Sequence, residues 1–258
     1  MKIAVSGAAG RMGRMVIKKA LEGGVSVSQA FDIVKIGEDA GEVAGVGKIG
    51  VKISDKIEEL KADVLIDFTN PEATLKIARI ASQKGIKMVI GTTGFSEEQR
   101  KELYTLCSKV PSVISPNFSV GVNVFWKIIE FATKYLYDAD IEIVEVHHKN
   151  KRDSPSGTAL KAAEIIQHVL AQKGKNLEIK SCRQGSSPRG SEIGVFGVRG
   201  GDVVGEHTVF FFGDGERVEI THRAMSREAF AFGAVKAAKW VFNVDKPGIY
   251  TMLDVLGF

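Results

Sequence analysis

A chain of 258 residues is long enough for one large domain or two ordinary ones, and its 44% apolar and 26% charged content are globular values with no disordered tail. The net charge of +4 is mild and its basic residues are scattered apart from Lys149 to Arg152, which excludes a broad nucleic-acid surface and favours small anions. No stretch approaches the length of a membrane span. The two cysteines, Cys107 and Cys182, form no C-x-x-C pair, which predicts a reducing, cytoplasmic setting and no metal site.

Lys2 to Ser6 reads as a short buried strand that runs into Gly7-Ala8-Ala9-Gly10-Arg11-Met12-Gly13. A helical face follows at Met15, Val16, Ile17, Ala20 and Leu21, and a second strand, Val25 to Phe31, ends at Asp32. The glycines are spaced G-x-x-G-x-x-G, a variant of the dinucleotide fingerprint. Gly7 permits the sharp turn, Gly10 lets backbone approach a pyrophosphate, and Gly13 lets the helix pack against the sheet. Asp32 stands where a carboxylate accepts ribose hydroxyls. Gly37 to Gly50 shows no period and is expected to be a surface loop.

Regular alternation then resumes, with strands at Val64 to Phe68, Lys87 to Ile90 and Val113 to Ser115. Helices are predicted from Asn70-Pro71 to Ala81 and from the Ser96/Gln99 capping box to Ser108. The β-α-β order predicts a parallel, doubly wound sheet, whose ligands lie beyond the carboxyl ends of its strands. Asp67-Phe68-Thr69, Gly91-Thr92-Thr93 and Ser115-Pro116-Asn117-Phe118 occupy such ends. Thr93 and Pro116 alone read as ordinary turn residues. Beside the glycine run and Asp32, the three turns together read as one cofactor trough.

A helix with a broad apolar face is expected from Ser119 to Tyr137, followed by Glu142 to Ala159, the stretch richest in chemistry. It opens as a strand in which period-two alternation puts Glu145 and His147 on one face, so that the carboxylate can orient or tune the imidazole. Lys149, Lys151 and Arg152 follow. Ser156-Gly157-Thr158 then opens a helix to Leu170, whose free N–H groups face the basic loop. A titratable pair, fixed cations and a helix mouth suit a small di-anion that must be held and protonated. The bland alternative is a solvated loop with a strand-capping His. Beyond Ala171, strands at 177–181, 192–198, 206–212 and 217–222 succeed one another without helices, which predicts an α+β domain with a mixed or antiparallel sheet. Thr208 to Phe212 is apolar on both faces, suited to a sandwiched strand or to a subunit contact. Phe230 to Val241 is an Ala-rich helix and Ile249 to Leu256 a short apolar tail.

Through these motifs, together with Asn117 to Asn123, Gly200 to Thr208 and Thr221 to Ala224, the chain resembles the dihydrodipicolinate (4-hydroxy-tetrahydrodipicolinate) reductases of diaminopimelate and lysine synthesis from end to end. The resemblance implies reduction by a nicotinamide nucleotide of a cyclic conjugated imine bearing two carboxylates. It implies His147 as proton donor/acceptor, Lys151 as second proton donor and carboxylate partner, and His148, Gly157 and Thr158 as substrate contacts, with Ser156 in the same helix mouth. It also implies a Rossmann-like nucleotide domain at residues 1–119, rejoined by 229–258, a substrate-binding and oligomerisation domain at 120–228, and a homotetramer. Many members carry Arg after the acid that ends the second strand. Here Ile33 follows Asp32, which predicts NADH preference, while Lys35 keeps NADPH open. Two other readings are an acylating or other Rossmann oxidoreductase, which would need a cysteine nucleophile at a strand-to-helix junction, and a redox-sensing NAD-binding regulator, which would have no use for His147 and Lys151.

Overall fold

Ile3, Ala4 and Val5 are buried on both sides of the strand they form, as a strand inside a parallel sheet requires. This strand, β1 (Lys2–Ser6), leads to α1 (Arg11–Glu22), β2 (Ser26–Phe31), α2 (Ala40–Ala44), β3 (Ile53–Ser54), β4 (Val64–Asp67), α3 (Pro71–Gln83), β5 (Lys87–Ile90), α4 (Glu97–Cys107) and β6 (Pro111–Ile114). The second half comprises α5 (Val120–Thr133), β7 (Asp140–His147), α6 (Gly157–Ala171), β8 (Glu178–Lys180), β9 (Glu192–Arg199), β10 (Gly205–Gly213) and β11 (Glu216–Ala224). The chain closes with α7 (Glu228–Phe242), β12 (Gly248–Tyr250) and α8 (Met252–Leu256). The computed structural model describes residues 1–258 and resolves them into two units, Met1–Val120 with Arg227–Phe258, and Gly121–Ser226.

In the first unit seven parallel strands lie in the order β12-β6-β5-β4-β1-β2-β3, so the winding reverses between β1 and β4. Two apolar cores cover the two faces. One gathers α1, α7 and α8 residues such as Ile17, Ala234, Ala238 and Met252, and the other gathers Leu75, Ile77, Leu103 and Leu106 of α3 and α4. The capping chemistry is the expected one. Asn70 Oδ1 accepts the N–H of Ala73 with Pro71 at the first helical position, and Ser96 and Gln99 close a reciprocal box. The apolar tail is more structured than a tail. Its residues Gly248–Tyr250 pair parallel to β6, and a Thr251/Asp254 capping box starts α8.

Two expectations need correction. The glycine-rich stretch after β2 is a built loop rather than an irregular one. Asp39 caps α2 and accepts backbone N–H groups from Gly41, Glu42, Ile49 and Gly50 at 2.7–3.2 Å, one carboxylate replacing the missing secondary structure. The helix expected to reach Tyr137 ends at Thr133, and residues 134–137 make a turn in which Leu136 N donates to Ala132 O at 2.9 Å.

The second unit has one mixed sheet, ordered β11-β10-β7-β9-β8, with β7 central, parallel to β9 and antiparallel to β10. Its inner face carries Ile141, Ile143, Val195, Val209 and Phe211, packed with Phe125 and Ile129 of α5 and Ala162 and Ile166 of α6. The doubly apolar strand splits accordingly. Val209 and Phe211 enter this core, while Phe210 and Phe212 stack on the opposite face at 5.7 Å under the Arg217 guanidinium.

A closely packed helix start or crossing leaves no space for a methyl group. A Cβ on Gly233 of α7 would stand 1.7 Å from the carbonyl oxygen of Phe118. Gly233→Ala is expected to cost about 1–3 kcal/mol through overpacking, read as a lower urea midpoint with an unchanged slope.

Candidate active site

The turn after β1 depends on absent side chains. Gly7 has φ +76°, and a Cβ there would lie 2.5 Å from Phe68 O, while one on Gly13 would lie 2.0 Å from Gly7 O. Gly10 is the N-cap of α1 without a side-chain cap, so the first N–H groups of that helix, from Arg11 and Met12 onward, are open to an anion. Ala8 and Ala9 are buried, and Ala9 N donates to Asp32 Oδ2 at 2.9 Å. Asp32 Oδ1 accepts Ile33 N and Val34 N at 2.8 and 3.2 Å, which aims the carboxylate along the rim of a cleft of about 330 Å³. Gly7, Gly10, Phe31, Asp32, Phe68 and Thr69 line it.

The sheet order β1-β4-β5-β6 sets the remaining turns side by side at the carboxyl edge. Their inner ends converge on Asp67, a fully buried carboxylate to which sequence reading gave no role of its own. Thr69, Thr74 and Thr92 hydroxyls donate to it at 2.9, 2.6 and 2.8 Å. Burial pushes its pKa up against the pull of those hydroxyls. Thr92 is therefore turned inward, its hydroxyl also accepting Thr69 N at 2.9 Å, and its role is to hold the turns. Phe118 is likewise interior, edge-on to Phe68 at 5.8 Å, and Gly91 is glycine because a Cβ would enter the Phe68 ring. Ser115 Oγ donates to Asn117 O at 2.7 Å, while Thr93 and Pro116 are exposed. These turns thus form one edge, with the Asp32 carboxylate facing the cleft beside the glycine turn. The geometry fits a dinucleotide: a glycine cradle, an open helix start and an acid on the next strand.

Within the second unit, β7 ends by delivering Glu145 and His147 to the inner face as alternation predicts. His147 Nδ1 lies 2.5 Å from Glu145 Oε2. Burial pushes the His147 pKa below its ordinary value, and Glu145 only partly opposes this. The imidazole is therefore mostly neutral at neutral pH. Glu145 is fully buried, yet bonds from Arg199, His147 and Ser156 N hold its pKa low against that burial. Lys151 is half-buried and pairs with Asp153 at 2.8 and 2.9 Å. The loop from His148 is laced to residues 200–203, with His148 N donating to Val203 O at 2.8 Å. Ser156 is the N-cap of α6 and accepts Ala159 N, leaving Gly157 and Thr158 at the helix mouth. Lys149 and Asn150 are exposed.

Arg199 escaped sequence reading, and His207 and His222 entered it only within family motifs, without a role. Arg199 chelates Glu145, and Ser156 Oγ lies 3.0 Å from His207 Nε2. Polar residues on the inward positions of apolar strands β10 and β11 were the available signal. Burial pushes His207 down to about 3.

A family model described as dihydrodipicolinate reductase, N-terminus, matches residues 1–118, and its C-terminal counterpart matches residues 121–256. The chain belongs to the dihydrodipicolinate reductase family. The 4-hydroxy-tetrahydrodipicolinate reductase of Archaeoglobus fulgidus is 66% identical over 256 residues, covering 99% of this chain and 100% of the relative. That of Methanococcoides burtonii is 51% identical and covers 98% of each. The solved structure of a dipicolinate-bound dihydrodipicolinate reductase from Paenisporosarcina sp. TG-14 matches with a TM-score of 0.78 at 25% identity over 98% of both chains.

A dihydrodipicolinate reductase has no need of a thiol nucleophile, and the thiols here agree. Cys107 is buried at the end of α4 with its pKa pushed up to about 12, and Cys182 lies in an exposed bend after β8 rather than on a strand. Titration of the native chain with a disulfide reagent is expected to modify one thiol rapidly with turnover retained; loss of turnover in step with that modification would revive an acyl-thiol mechanism.

Proposed function

We propose that the chain reduces 4-hydroxy-tetrahydrodipicolinate to tetrahydrodipicolinate with a nicotinamide nucleotide, in diaminopimelate and lysine synthesis in the cytoplasm. The observation that carries the reading is the Glu145–His147 pair beside Lys151 and the α6 mouth, a set with no purpose in an NAD-sensing regulator. Once the 4-hydroxyl has left as water to give the conjugated cyclic imine, a nucleotide held by the glycine turn and Asp32 would supply hydride to ring C4. The chain's own residues do the rest. Lys151 leaves Asp153 for a substrate carboxylate, and the α6 N–H groups beyond Ser156 take the other, with His148, Gly157 and Thr158 lining the same mouth. Two carboxylates arriving beside His147 raise its pKa, so the imidazole takes up a proton when substrate is present and returns it through Nε2 to the carbon next to C4. Nδ1 cannot do this because it is committed to Glu145.

Lys151→Ala is expected to lower kcat by about 10²- to 10⁴-fold with NADH binding, followed by fluorescence, close to normal. Unchanged turnover would remove Lys151 from the mechanism.

The cofactor reading is NADH. Ile33 beside Asp32 is largely exposed and offers no cation; Lys35 pairs with Glu38 at 3.1 Å, and Lys76, which lines the cleft, pairs with Glu58 at 3.0 Å. A 2′-phosphate would meet the Asp32 carboxylate instead. Initial rates with both nucleotides are expected to favour NADH; a clear NADPH preference would overturn this. The Phe210/Phe212 face of the second sheet is the surface we assign to a homotetramer.

A further inference from the structure

The imidazole of His147 sits at the end of a polar row built into an otherwise apolar sheet face. Strand register places Gly197, Glu145, His207 and His222 side by side across β9, β7, β10 and β11, with Arg199 opposite His147 one step on. Glu145 Oε1 accepts Arg199 Nη2 at 2.7 Å and Ser156 N at 3.0 Å, and Oε2 accepts Arg199 Nη1 at 2.8 Å beside the His147 contact. Arg199 is itself fixed by Asp153 O at 2.6 Å and Val198 O at 2.8 Å. Space is reserved for the arrangement: a Cβ on Gly197 would stand 2.8 Å from Glu145 Oε1, and one on Gly205 would stand 2.8 Å from His147 Nε2.

A lone buried carboxylate at this distance would raise the proton affinity of the imidazole. A bidentate guanidinium neutralises that carboxylate while Oε2 still accepts His147 Nδ1. The remaining groups facing His147 are His207, buried and neutral, with His222 beyond it on β11, and the Lys151–Asp153 pair in the loop.

We propose that Arg199 is a positioning residue for proton transfer: through Glu145 it sets how tightly His147 holds its proton, fixes Nδ1 as the bonded nitrogen so that Nε2 serves the substrate, and ties both to the Ser156 helix mouth. The proposal rests on the reductase reading for the role of His147. It adds that the charge balance behind the imidazole decides when the proton is taken up. With Arg199 in place the resting imidazole stays neutral and the arriving di-anion supplies the missing negative charge.

The test is an imidazole ¹⁵N NMR titration of the full-length chain with NADH bound, the His147 signals assigned by their loss in His147→Gln. Arg199→Gln exposes the Glu145 charge and is expected to move the His147 midpoint to higher pH. Glu145→Gln removes that charge and is expected to move it lower. Arg199→Lys keeps the charge and is expected to stay near the parent midpoint while kcat falls. Should Arg199→Gln fail to fold, Glu145→Gln and Arg199→Lys still decide: a midpoint unmoved by Glu145→Gln, or moved by Arg199→Lys as far as charge removal would move it, overturns the proposal. The titration needs no turnover. Midpoints that shift as stated while the kcat/KM profile does not follow would instead overturn His147 as the proton donor, and with it the part of Arg199 in proton transfer.

Discussion

Glu145 accepts four hydrogen bonds inside the second unit, two from Arg199, one from His147 and one from the backbone of Ser156, with no exposure to solvent. Three segments distant in sequence meet at that one carboxylate: the end of β7, the end of β9 and the start of α6. A buried charge with a missing partner is costly, so these bonds form together or the strand end and the helix mouth lose their common anchor. The placement of the His147 imidazole next to the start of α6 therefore follows from satisfying a single buried anion.

The first unit solves a comparable problem with different chemistry. Asp67 has no guanidinium partner and is held by hydroxyls from Thr69, Thr74 and Thr92. Burial without a countercharge raises its pKa, where Arg199 keeps that of Glu145 low. One buried acid organises turns that offer mainly backbone to a ligand, and the other organises side chains that must move protons. The contrast suits a scaffold for a nucleotide on one hand and a chemical site on the other.

Membership of the reductase family and a resting, mostly neutral His147 are compatible through the substrate's charge. In the proposed mechanism a di-anion would supply negative charge that favours the imidazolium against its burial, and Lys151 would exchange Asp153 for a substrate carboxylate.

Much of this was legible along the chain. The glycine run, Asp32, the alternating strands and helices, the Glu145–His147 spacing and the Ser156 cap are all local patterns, because turns, caps and strand faces depend on residues within a few positions of each other. Both sheets and the family resemblance followed from them. What local pattern could not supply were partners brought by strand register: Arg199 lies 54 residues from Glu145, and His207 lies 51 from Ser156. Nor could it show that Asp39 turns an apparently shapeless glycine stretch into a built loop, since that depends on which N–H groups folding brings to the carboxylate. The sequence by itself determined which groups could bind an anion or carry a proton; the tertiary structure decided their charge, because burial and a distant guanidinium set the proton affinity of an imidazole that sequence spacing can only locate.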